Sequence, residues 1–161
     1  MKKYIFIFTL IILLVIASGC SINYNEYPSF QTKPEHDFYT NSLTSLLSKE
    51  DDFQVMLLET NYSTEMDVNT IGKDTLKEFF KSLSENSFIT DNAILKSLPK
   101  KPIYRLYINK EDEKYVINIF SEDIATLHPW DGLFPEDYIN MKESPKAYNL
   151  YGLCNYLLKN R

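Results

Sequence analysis

Apolar residues recur along this chain in two rhythms, and each change of rhythm marks an element. Tyr39, Leu43, Leu46 and Leu47 stand at i, i+4, i+7 and i+8, one face of an amphipathic helix that Asp51-Asp52 ends. The almost wholly apolar run Phe53-Gln54-Val55-Met56-Leu57-Leu58 then predicts a central strand covered on both faces. The polar stretch 60–69 has no clear period and reads as loop, with room for a strand continuation. In the second helix Asp74 or Thr75 is the expected cap and Thr75 and Glu78 have capping-box spacing. Leu76, Phe79, Phe80 and Leu83 form its apolar stripe, and Asn86 stops it.

Residues 88–98 keep neither rhythm, and Pro99 and Pro102 bracket a turn. Alternation returns at 103–109 and 115–120, on either side of Lys110-Glu111-Asp112-Glu113-Lys114, which is a hairpin pattern. Tyr104, Leu106 and Ile108 share one face, with Tyr115, Ile117 and Ile119 opposed to them. Arg105, Tyr107, Asn109 and Asn118 fall on the other face, so that side is solvated or occupied by a partner. A loop over 128–137 precedes a short strand at 138–141. After Pro145, the positions Ala147, Leu150, Tyr151, Cys154, Leu157 and Leu158 repeat at helical spacing. These elements predict an α+β fold: a single domain with a mainly antiparallel sheet and helices packed on one face.

The first residues follow neither pattern. Lys2 and Lys3 precede an apolar run over 4–17 broken only by Thr9, well short of the ~20 residues a helix needs to cross a bilayer core. Ala17-Ser18-Gly19-Cys20 closes the run, and here the chain resembles bacterial lipoproteins, although Ala17 stands where that family usually has Leu. The resemblance implies a signal peptide over 1–19 that is cleaved, with a diacylglyceryl thioether on Cys20. It implies a lipid-anchored protein at the cell membrane, facing outside the cytoplasm, because two acyl chains inserted together hold stably. Residues 20–34 then form the lipidated cysteine and its tether, and 35–161 the globular domain. Tyr24, Tyr27 and Phe30 in the tether suit an extended segment docked on the domain.

Cleavage changes the charge that matters. Removing Lys2 and Lys3 from the 17 basic side chains sets 15 against 22 acidic ones, about −7 in place of −5. Anionic lipid headgroups and wall polymers then repel the domain, and the lipid rather than charge holds it at the membrane. Nucleic acid is excluded as a partner on the same ground, since phosphate binding calls for clustered Lys and Arg and the arginines are only Arg105 and Arg161.

Candidate chemistry is sparse. Cys154 is the one thiol left after lipidation, and a nucleophile reading would join it to His128 and Asp131 or to His36. Its place in an apolar helical stripe favours a core role. His36 and His128 lie far apart without a helical pair or Cys-x-x-Cys spacing, and the carboxylate runs lack the calcium-loop pattern, so no metal or cofactor is expected. His128, Trp130, Asp131 and Phe134 make the one site-like mix, a candidate binding loop held by Pro129 and Pro135. The alternative reading has Trp130, Leu133 and Phe134 plugging the domain edge, the more frequent fate of such residues.

The run Tyr148-Asn149-Leu150-Tyr151, with Leu153-Cys154 after it, resembles small uncharacterised lipoproteins of Gram-positive spore-forming bacteria, which implies an anchored single domain and no particular activity. Three readings follow in order: a non-enzymatic interaction module that takes an envelope protein or wall component, a small-ligand binder or sensor, and a cell-envelope hydrolase.

Overall fold

The computed structural model describes residues 32–49 and 52–160. Among them the chain forms α1 (Phe38–Lys49), β1 (Gln54–Glu59), β2 (Thr64–Asp67), α2 (Thr70–Ser82), α3 (Asn92–Lys96), β3 (Tyr104–Lys110), β4 (Glu113–Ile119), β5 (Ile124–Pro129), β6 (Asp137–Asn140) and α4 (Leu150–Lys159). The strands make one sheet in the order β2-β1-β3-β4-β5-β6, with every neighbouring pair antiparallel. The fold is therefore α+β, a single domain whose helices α1, α2 and α4 lie on one face of the sheet.

Alternation within the strands decides which side chains meet those helices. Val55, Leu57, Leu106, Ile108, Ile117, Ile119, Ala125, Leu127 and Ile139 all point to one face and bury there. Leu43 and Leu47 of α1, Leu76 and Phe79 of α2, and Leu150, Cys154 and Leu157 of α4 cover them in one continuous core. The β3–β4 hairpin has the two facing sets its alternation predicts, in the register Tyr104 opposite Ile119, Leu106 opposite Ile117 and Ile108 opposite Tyr115. Its turn is the pair Glu111-Asp112, and Glu111 has a φ of 51°, a left-handed backbone unfavourable for a residue with a Cβ.

Three local expectations change. Strand β1 is interior in the sheet, but it is covered on one face only: Val55 and Leu57 are buried, whereas Met56 and Leu58 are half-exposed on the helix-free side. Helix α2 begins earlier than its capping-box spacing suggests, because Asn69 is the cap and its side chain accepts from the Gly72 amide. Thr75 lies inside the helix and donates its hydroxyl to the Ile71 carbonyl instead. Strand β5 is an addition, and it takes in His128 and Pro129, expected in the following loop.

The two edges are managed differently. Beside β6, Phe88 bridges to Ile139 and the Ile89 amide donates to the Tyr138 carbonyl. At the other edge β2 is short and carries exposed Glu65 and Asp67, which discourage pairing with another chain.

One buried charge joins the layers. Asp137 at the start of β6 is 0% exposed, and its Oδ2 accepts from both the amide (2.6 Å) and the hydroxyl (2.7 Å) of Thr40 in the first turn of α1. Its Oδ1 lies 2.5 Å from Lys33 Nζ, as an ion pair without a directional hydrogen bond. Breaking a buried pair of this kind costs about 3–5 kcal/mol, so Asp137→Ala should lower the unfolding free energy by that much in urea. Asp137→Asn, which keeps an acceptor for Thr40, should lose less. A loss below about 1 kcal/mol for the alanine variant would show that other contacts fix α1 on the sheet. Glu111→Gly relieves the left-handed turn and should raise stability by about 0.5–1 kcal/mol in the same titration, whereas a decrease would mean that the Glu111 side chain itself stabilises the hairpin.

Candidate functional site

The helix-free face of the sheet is built by the other half of the alternation. Register places Leu58, Arg105, Asn118, Thr126 and Tyr138 in one row across five strands, and Met56, Tyr107, Val116 and His128 in the next. Within the first row, Asn118 Nδ2 donates to Thr126 Oγ1 at 3.3 Å. Arg105 Nε and Asn118 Oδ1, on directly opposed residues of β3 and β4, are buried with no hydrogen-bond partner. This face therefore carries a polar row containing an unused donor and an unused acceptor.

Trp130 stands over that face. Its amide donates to the Lys114 carbonyl at 2.8 Å, which carries the β4–β5 pairing one residue past the strand end. Its indole lies 6.4 Å from the Tyr107 ring at an interplanar angle of 50°. Even so, Trp130 is 68% exposed and Leu133 is 75% exposed. The plug expected of Trp130, Leu133 and Phe134 is thus confined to Phe134, whose ring packs 5.6 Å from Phe38 and 6.3 Å from Tyr39.

The loop is held at both ends. After the Pro129 carbonyl accepts from the Gly132 amide, Tyr39 Oη accepts from the Phe134 amide at 2.7 Å and donates back to the Phe134 carbonyl at 3.3 Å. Gly132 sits in a tight spot, because a Cβ there would meet Tyr39 Oη at 3.0 Å and the Pro129 ring at 3.1 Å and would press on the loop's own anchor. Lys33 Nζ donates to the Glu136 carbonyl at 3.1 Å and pairs with Asp137, so Lys33, two residues ahead of Glu35, is bonded to the end of the loop.

Two shallow grooves of about 310 Å³ each meet at Trp130. One is lined by Asn118, His128, Phe134 and Glu136, the other by Met56, Tyr107, Asn109 and Lys114. The structure therefore brings His128, Trp130 and Phe134 together, while Asp131 turns away into a separate hollow beside Tyr115 at the hairpin end. His128 Nδ1 is 2.9 Å from the Pro129 carbonyl, which can only accept, so Nδ1 carries a proton and Nε2 is the acceptor of the neutral ring. Asn118, Asn109 and Glu136 complete the grooves; the two asparagines were legible in the sequence as polar positions of the hairpin, and Glu136 as one of the carboxylates of the 128–137 loop.

The other candidates lie elsewhere. Cys154 is 0% exposed in the core on the helix side of the sheet, and burial pushes its thiol far above the ordinary range. His36 is exposed and sits edge-on to Phe88. Among the described residues no group of three or more His, Cys, Asp or Glu side chains could hold a metal, and no helix is long and apolar enough to cross a membrane. Cys20 and the tether aromatics lie outside the described residues.

Fold and site together define an α+β domain with one helix-covered sheet face and one open, aromatic-bearing face. The chain belongs to the family described as a domain of unknown function, DUF4883, whose model matches residues 33–154. Among solved structures it is similar to a protein described as "Putative Lipoprotein from Clostridium perfringens", at 32% identity and a TM-score of 0.70, over 80% of this chain and 99% of that one. Among curated proteins none matches.

Tyr115, in the wall of the hairpin-end hollow, has its phenol pushed up to about 12, first by burial and then by the charge of Glu113, which also accepts its hydroxyl at 3.5 Å. A phenol with a raised native value keeps its proton longer in the folded chain than in the unfolded one. Its contribution is thus complete below the ordinary value of 10.0 and is lost as pH rises through about 12. Tyr115→Phe should flatten the fall of unfolding free energy over that window by at most about 1.4 kcal/mol per pH unit. If wild type and variant lose stability in parallel there, Tyr115 is not the group responsible.

Proposed function

We propose that this protein is a lipid-anchored, non-enzymatic binding domain that displays the Trp130 face of its sheet to a partner in the cell envelope. The signal segment over 1–19 is removed, a diacylglyceryl group on Cys20 holds the chain at the membrane, and the domain faces outside the cytoplasm. The relative described as a lipoprotein and the Ala17-Ser18-Gly19-Cys20 run support the anchor. The observation that carries the binding reading is the exposure of Trp130 on a loop fixed at both ends. Indole is normally well buried, and a rigid exposed ring loses little conformational freedom when a partner covers it.

Crosslinking on intact cells tests both halves. The wild-type chain should capture envelope partners that Cys20→Ala does not, and Trp130→Ala should lose them while its unfolding free energy stays within about 1 kcal/mol of wild type. Equal capture by Trp130→Ala would remove the binding reading, and equal capture by Cys20→Ala would remove the role of the anchor.

A further inference from the structure

The chemistry around Trp130 narrows the class of ligand, and this step rests on the binding reading above. We propose that the two grooves meeting at Trp130 take a neutral saccharide, with one sugar ring stacked on the indole and its edge hydroxyls bonded to the flanking polar side chains.

Three observations lead there. The first is the mixed character of the surface: an exposed flat ring is bordered on one side by Asn118, His128 and Glu136 and on the other by Met56, Tyr107 and Tyr115 with Asn109 and Lys114. A pyranose has matching properties, with one face of C–H bonds and a rim of hydroxyls that both donate and accept.

The second is charge. Lys114 borders one groove and Glu136 the other, so the lining is balanced in sign. The hairpin end beside them mixes Glu111, Asp112, Glu113 and Asp131 with Lys49, Lys110 and Lys114, so it carries a small acidic excess and no cluster of positive charge. Such a surface has no concentrated positive charge to hold an anionic bilayer or a phosphate-rich polymer, and a neutral sugar needs none.

The third is hydrogen-bonding capacity. Asn118 lines the first groove, and its amide nitrogen keeps a second proton beyond the one given to Thr126, while its Oδ1 and the neighbouring Arg105 Nε are buried beneath the surface. His128 Nε2 adds an acceptor fixed by the Nδ1 contact, and Asn109 in the other groove adds a donor and an acceptor. Both kinds of partner are thus on offer to a hydroxyl or acetamido group. The shallow, open form of the grooves suits a linear chain lying across the strands better than an enclosed monomer.

The chain has one tryptophan, so its fluorescence reports on this site alone. The lipid-anchored protein, purified in a detergent without a sugar headgroup, is titrated with the β-1,4-linked tetrasaccharides of glucose and of N-acetylglucosamine. One of the two should give a saturable change in emission below about 10 mM, and Asn118→Ala, which keeps the reporter, should weaken it about five- to tenfold with an unchanged melting temperature. The tetrasaccharide that responds separates a plain glucan from an acetylated one.

Silence from both sugars up to that concentration overturns the proposal. So does a blue shift on reconstitution into phosphatidylglycerol vesicles that no sugar reverses, since that outcome assigns the ring to the bilayer. An unweakened response in Asn118→Ala overturns the groove assignment. If the sugars fail while Trp130→Ala still loses its partners on cells, the ligand class is wrong and the binding reading stands. If that variant also keeps its partners, both fall.

Discussion

The carboxylate of Asp137 is the point on which the rest of the fold turns. A charge with no exposed surface is costly to desolvate, and it is tolerated only where donors and an opposite charge replace the lost water. Here the donors are the Thr40 amide and hydroxyl, and the cation is Lys33. Thr40 lies in the first turn of α1, where backbone amides are unpaired and the helix dipole favours an anion. The helix has no acid of its own in that turn, so Asp137 supplies from far along the chain what a local cap usually supplies. One group thereby fixes the helix against the sheet, the start of β6, and the segment that leads into the domain.

That arrangement also explains which parts of the fold could be read from the chain. The hairpin of β3 and β4 was legible in which residues share a face, because alternation sends Tyr104, Leu106 and Ile108 to the core, whereas its exact register is set by a turn of two residues, shorter than the charged segment suggests. The helices were legible for a similar reason, since their stripes are set by core burial. Local caps were less so: Thr75 and Glu78 have the right spacing, yet Asn69 wins because starting there lets Gly72 pass close to Val68 and near Leu157 of α4. Strand β5 escaped notice because its face toward Trp130 is Ile124, Thr126 and His128, a mixed set with no clear apolar rhythm. The Asp137 contacts were invisible in sequence, being made between residues almost a hundred positions apart.

The candidate site was half legible. Its loop stands out in the sequence as the place where the single indole meets an imidazole, carboxylates and prolines. Sequence could not say which of the aromatic residues would be spent on packing, because that depends on where α1 lies. With Tyr39 holding both backbone groups of Phe134, the phenyl ring turns inward, and the tight turn at Gly132 leaves Trp130 on the opposite side of the loop. The exposed indole is thus a by-product of the same α1 placement that Asp137 enforces. Asn118 joins it because register, not local sequence, brings β4 beneath the loop.

Shallow grooves and a single exposed ring make a weak site, since little of a ligand can be enclosed there. The anchor proposed at Cys20 would change what weakness means. Lys33 is bonded to the end of the loop, so the thirteen residues from Cys20 reach it over at most about 43 Å when fully extended. A groove confined to that shell by such an anchor would meet any ligand fixed in the same layer at a high effective concentration, and affinities in the millimolar range would be sufficient for occupancy. On the proposed reading, the same weakness would allow release, so an anchored domain could move along a repeating ligand without leaving the membrane. A tight, enclosed pocket would gain little from such a tether, whereas a rigid aromatic platform on an open sheet gains from it most.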